Sequence, residues 1–198
     1  GSIGFALSLG LAGCAVGTFL VAYTADRVGR KTTLVLLAGL MALGGLVLAW
    51  NPHPAVVMVS VFVGMINGMG RDRGAGLTVE QAILPQTTTE SGRTKVFAWY
   101  NLTIDAGHAL GALLGGLPAW LRVQLGMSPL VSYRWTWLVY SGLCFLAAGL
   151  VLGLSKRVER IGSVPPARLC PSSRPIVVKF AALAGLDSLG GGFLTTAL

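Results

Sequence analysis

The sequence predicts an all-α protein, a polytopic bundle of transmembrane helices, and three observations carry that expectation. Charged residues make up 11% of the 198-residue chain and apolar residues 54%, whereas a soluble domain carries about 25% charge. Six apolar stretches each approach or exceed the roughly 20 residues that cross a bilayer, and no soluble core of this size has room for six such helices. The net charge of +8 fits the excess of Lys and Arg found on one side of membrane proteins and is read that way here, in preference to nucleic-acid binding.

The first helix is expected at about 3–25. Gly13 and Gly17 stand four apart there, leaving a stripe without side chains where a neighbouring helix can approach closely. The run Ala22-Tyr23-Thr24-Ala25-Asp26-Arg27-Val28-Gly29-Arg30-Lys31 follows. Four charges and a glycine within six positions cannot lie in hydrocarbon, so the chain is expected to turn here in water. The second helix covers about 32–50 and ends at Asn51-Pro52-His53-Pro54, because two prolines in four residues cannot continue it.

The third helix, expected at about 55–84, is unusual. Its apolar part meets Gly70-Arg71-Asp72-Arg73-Gly74-Ala75-Gly76 before apolar character resumes at Leu77. Either the helix stops at Gly70, or it continues, partly unwound, to about Leu84. The second reading is favoured, with the charges facing a wet cavity or other protein. A polar turn at 85–93 leads to a fourth helix at about 94–121, where Gly107, Gly111 and Gly115 recur every four residues. A fifth helix covers about 132–154. Residues 155–175 are charged and hold four prolines, which reads as an extended linker. A sixth helix begins near Ile176 and runs to the last residue.

Placing the Asp26 turn in the cytoplasm and alternating puts thirteen of the fifteen Lys and Arg residues on that side, leaving Arg122 and Arg134 outside. That asymmetry decides the expected orientation. All five tryptophans fall near expected helix ends, as an aromatic belt requires. Cys14, Cys144 and Cys170 are odd in number and have no metal-ligand spacing, so neither disulfide nor zinc is expected. The first residue is Gly1 and the last apolar run stops at Leu198, so the chain is read as a fragment.

Asp26-Arg27-x-Gly29-Arg30-Lys31 resembles the signature loop between the second and third helices of the major facilitator superfamily, G-x-x-x-D-R-x-G-R-[RK], with Ala22 in place of the first Gly. The basic turn at Arg93, the glycine stripe from Gly107 and the long basic linker resemble, in order, the family's loop between helices four and five, its fifth helix, and the loop joining its two halves. The segments Thr78 to Ala82 and Arg93 to Asn101 look like a bacterial subgroup of unassigned substrate. The resemblance covers the whole chain and implies a partial major-facilitator fold, helices two to seven. Residues 1–154 would then be the N-terminal bundle, 155–175 a cytoplasmic linker, and 176–198 the first helix of the second bundle. It implies a secondary active transporter of a small solute, proton- or ion-coupled, in the bacterial inner membrane. Asp26, Arg27, Gly29, Arg30 and Lys31 would then form a gating lock at the cytoplasmic helix ends.

Several polar residues at depth are candidates for the substrate or proton pathway. Arg71, Asp72, Arg73 and Glu80 could line a central cavity, or could be internally paired structural charges. Asp105 and His108, three apart on one helix, share a face and could carry a proton, or could be a buried pair facing a neighbour. Asp187 precedes Gly190-Gly191-Gly192, which permit local unwinding, although it could also cap a helix. Asn67, Tyr100, Asn101 and Thr103 could also line a cavity. Other classes are weaker. A non-transporting scaffold or receptor would leave these charges inert, while an enzyme finds no H-E-x-x-H or G-x-S-x-G, and no cofactor or metal ligand set is expected. The absence of a G-x-x-x-x-G-K-[ST] loop argues against an ATP-driven pump within this chain. The expected partners are the lipid bilayer, a small-molecule substrate and a coupling proton or ion, with no nucleic acid.

Overall fold

The computed structural model describes residues 2–67, 74–155, 158–159 and 173–197. The described residues form helices and short turns, consistent with the all-α bundle the composition demands. Helix α1 spans Ser2–Val28 and α2 spans Arg30–Trp50. The charged turn is thus tighter than expected. Asp26 and Arg27 lie in the last turn of α1, Arg30 and Lys31 open α2, and Gly29 alone is non-helical. Its φ of 104° is a backbone conformation that favours glycine.

The expected third helix is two helices, α3 (Pro54–Val63) and α4 (Ala75–Ile83). The favoured reading, a helix continuing partly unwound to about Leu84, thus gives way to a break, which opens at Gly64 and Met65, earlier than the Gly70 of the alternative reading, and Met65 takes a φ of 52°. Hydrogen bonds from Gly64 N to Ser60 O, Met65 N to Phe62 O and Ile66 N to Val61 O close off the end of α3. Ten residues at 1.5 Å each carry α3 about 15 Å, half the hydrocarbon thickness, so the break falls near mid-depth. The expected fourth helix is likewise two, α5 (Arg93–Leu114) and α6 (Leu117–Leu125), separated by Gly115 and Gly116 ahead of Pro118. Helix α7 spans Pro129–Leu152. Residues Gly1–Arg160 and Ile161–Leu198 form separate compact units, and the second holds α8 (Arg174–Ala197).

Helices α2 and α7 are the most extensively packed pair. Lys31 Nζ reaches Leu154 O at one end and Arg134 Nε reaches Ala49 O at the other, so the two run antiparallel. Between these ends Gly45 admits α7 closely, since a Cβ there would stand 2.4 Å from Ser141 Oγ. On the other side, Gly10 and Gly13 of α1 meet the end of α3, where added Cβ atoms would stand 2.1 Å from Ile66 O and Phe62 O. A core of Cys14, Val21, Ala25, Leu34, Met65, Ala75, Val79 and Ile83 joins α1, α2 and α4.

Much apolar surface remains outside. Phe19, Leu36, Leu146 and Leu150 are all more than half exposed. Patches of this kind suit lipid rather than water. Three described helices, α1, α2 and α7, are long and apolar enough to cross a membrane unaided, whereas the sequence pointed to six spans. The break between α3 and α4 accounts for one of the differences, whereas α5, at 22 residues, is long enough but carries too many polar residues, among them Asn101, Asp105 and His108.

Candidate functional site

The charged turn is the centre of a junction that ties four helix ends together. Asp26 Oδ1 accepts from Arg30 Nε at 3.0 Å, joining α1 to α2 across the glycine. Arg30 is only 6% exposed, and its Nη1 also donates to Ala82 O, at the end of α4, at 3.3 Å. A buried guanidinium needs such partners, because an unpaired charge at this depth is costly to desolvate. Lys31 Nζ donates to Leu154 O, just past the end of α7, at 2.9 Å.

The fourth tie is a residue the sequence did not single out. Glu159 accepts from Arg30 N at 2.7 Å and from Lys31 N at 3.1 Å, one N–H to each carboxylate oxygen. These are two of the donors a helix start leaves without intrahelical partners, and a carboxylate there also opposes the positive end of the helix dipole. Gly29 makes room for it. A Cβ at that position would stand 3.2 Å from Glu159 Oε1. The signature glycine therefore serves both the positive φ and the approach of the carboxylate. No local motif marks Glu159, since its partners lie 128 and 129 positions earlier in the chain.

A second polar locus lies at the helix break. Cys14 Sγ donates to Met65 O at 3.3 Å, and Asn67 Nδ2 donates to Cys14 Sγ at 3.1 Å, so α1 holds the unwound end of α3. On α4, Glu80 accepts a hydrogen bond from the Tyr100 hydroxyl of α5. Glu80 also lines a cavity of about 260 Å³ between α2, α4 and α7, where Met41, Met65 and Cys144 are among its neighbours. Among the described residues, no group of three or more His, Cys, Asp and Glu is placed to hold a metal ion.

A model of the Major Facilitator Superfamily matches residues 1–195. The chain belongs to that superfamily. An uncharacterized membrane protein of Saccharomyces cerevisiae is 25% identical over 227 aligned residues, which cover 98% of this chain and 51% of that protein. A Haemophilus influenzae protein named as a candidate metabolite transport protein is 26% identical over 142 residues, covering 71% of this chain and 32% of that one. The chain thus spans about half the length of the first of these curated relatives and about a third of the second. No solved structure matches it. Superfamily membership and the apolar helices make this a multi-pass membrane protein.

Within the superfamily chain, the structure brings together Asp26, Gly29, Arg30 and Lys31 of the signature, while Arg27 is exposed. Arg71, Asp72 and Arg73 lie outside the described residues. Asp105 is exposed and His108 half-buried on α5, a helix with no buried residue, and no hydrogen bond or ion pair joins the two among the described residues. Asn101 and Thr103 are exposed on the same helix, where Thr103 Oγ1 donates to Trp99 O. Asp187 falls on α8, and its side chain lies outside the described residues.

Proposed function

We propose that the protein is a secondary active transporter of a small solute that works by alternating access, coupled to a proton or another ion. The single observation that carries this reading is the junction at Gly29. There one buried arginine, one lysine and two carboxylates fasten the ends of α1, α2, α4 and α7. Hydrogen bonds between helix ends hold in one arrangement and can be exchanged for water or other partners in another, which suits a gate. The gate faces the cytoplasm of a bacterial cell in this reading, with residues 155–175 on the same side. Glu80 is the described carboxylate best placed for proton traffic, because it sits on the helix beyond the mid-depth break and is held by Tyr100. Asp105, His108 and Asp187 remain further candidates along that route.

The test is uptake by the full-length carrier in membrane vesicles, across a compound panel, with and without a proton gradient. Asp26→Asn and Arg30→Ala should lower uptake while the amount of inserted protein stays constant, and normal uptake by both would remove the gate. Glu80→Gln, which mimics a permanently protonated acid, should lose gradient-driven accumulation but keep solute exchange across the membrane. Accumulation at the unmutated level would take Glu80 off the proton route.

A further inference from the structure

The end of the bundle remote from Asp26 carries Arg134 on α7. Its Nε donates to Ala49 O at 3.0 Å, and its guanidinium carbon lies 4.8 Å from the centre of the Trp50 ring. These contacts fix the planar head and leave its terminal nitrogens for another acceptor. Among the described residues no carboxylate is paired with it. The 21 residues of α2 span about 31 Å at 1.5 Å per residue, the full hydrocarbon thickness. Trp50, at the end of α2, therefore stands at the depth where headgroups begin.

An apolar groove of about 480 Å³ runs beside α2 from that level toward mid-depth. Leu40, Leu43 and Val47 of α2 form one wall, and Val56, Val59 and Val63 of α3 form the other. Leu43, Val47 and Trp50 follow at i, i+4 and i+7, so the groove and the tryptophan share a helix face. Val59 is 62% exposed and Leu43 54%. The groove is shallow in depth as well as apolar. Seven residues of α2 separate Leu40 from Val47, about 10 Å, and Ile66 turns in within that span, its Cδ1 3.3 Å from where a Cβ on Gly44 would stand. A spanning helix from another protein, about 30 Å long, is roughly three times the length of such a slot. A single lipid chain from one leaflet fits it.

We propose that this groove seats one glycerophospholipid, with an acyl chain between α2 and α3 and the phosphate on Arg134. The guanidinium donates charge-assisted hydrogen bonds to the phosphodiester oxygens, a pairing its planar fork favours. The chain covers apolar side chains that would otherwise face looser lipid. An anionic headgroup is preferred, because among the described residues no acid pairs with Arg134 to offset its charge.

The purified full-length protein in detergent, titrated with palmitoyl-oleoyl phosphatidylglycerol and read by native mass spectrometry, tests this. One tight adduct is expected. Arg134→Gln should weaken it about tenfold, the loss expected for one charge-assisted contact. Val47→Trp, which fills the groove, should weaken it at least as much, while Arg122→Gln at the same end of the bundle should leave it unchanged. Diacylglycerol with the same chains and inorganic phosphate should each bind far less well. Undiminished binding by either Arg134→Gln or Val47→Trp overturns the proposal, as does equal weakening by Arg122→Gln. So does tight binding of phosphate alone, which would mean a free-anion site. A readout that leaves Arg134 intact uses phosphatidylglycerol with brominated chains. These should quench tryptophan emission, and Trp50→Phe should remove that quenched component; quenching that survives Trp50→Phe at full size counts against the seat.

Discussion

Glu159 and Gly29 act as one device, and each predicts how the other fails. Gly29 holds a φ of 104°, and a side chain there would both strain the backbone and crowd the carboxylate. Gly29→Ala should therefore destabilise the protein by about 1–3 kcal/mol, seen as a lower melting temperature of the purified protein. Glu159 should rank its substitutions by acceptor count. Glu159→Gln keeps one oxygen for the N–H of Arg30 or Lys31, whereas Glu159→Ala keeps none and loses about 1 kcal/mol of capping. If the proposed transport holds, uptake by the full-length protein should fall in the order wild type, Gln, Ala; equal uptake by all three would reduce the carboxylate to a bystander. The halves of this device differ in legibility. Gly29 sits in a local pattern of charges and could be singled out from spacing. Glu159 lies in a stretch that reads as one more charged piece of a linker, and its meaning comes from contacts made across the fold.

Two glycine stripes that look alike in the sequence meet different surroundings at the level of helices. In α1, Gly13 and Gly17 mark a face that contacts α3 and Met65, and Gly10 extends it. In α5, nothing stands within 4 Å of a Cβ added to Gly107 or Gly111. Gly13→Ala should therefore destabilise this chain by roughly 1–3 kcal/mol through overpacking, while Gly107→Ala and Gly111→Ala should change it by less than about 0.5 kcal/mol. Thermal unfolding of the three variants in detergent separates the cases, and comparable losses for all three would contradict the packing seen here. Spacing reveals a small-residue stripe but not its neighbour, which depends on how the helices are arranged. The break between α3 and α4 shows the same limit. Glycines and charges near Gly70 drew attention, yet the helix already ends at Val63 inside an apolar run. A turn closed by Ser60, Val61 and Phe62 carbonyls, and held by Cys14, has no compositional signature. The apolar length of α1, α2 and α7 was legible because a bilayer imposes it on each helix separately.

Across the bundle, the junction at Gly29 matters because its ties share atoms. Arg30 gives its side chain to Asp26 and Ala82 O and its backbone N–H to Glu159. Lys31 does the same between Glu159 and Leu154 O. Releasing one tie therefore loosens the hold on a residue that serves two others, and the ends of α1, α2, α4 and α7 are expected to come free together. Groups in one hydrogen-bonded network lose free energy non-additively, whereas distant independent sites add. That difference distinguishes a gate from four separate struts. In the full-length protein, on the proposed transport function, Asp26→Asn and Glu159→Gln should each lower uptake, and the double variant should be little worse than the more damaging single one. The coupling read from such a cycle should be about 0.5–3 kcal/mol, the range for residues in one network. Multiplicative losses in uptake rate would mean that Asp26 and Glu159 hold the start of α2 independently, and a gate that opens as a unit would then have to be sought elsewhere in the bundle.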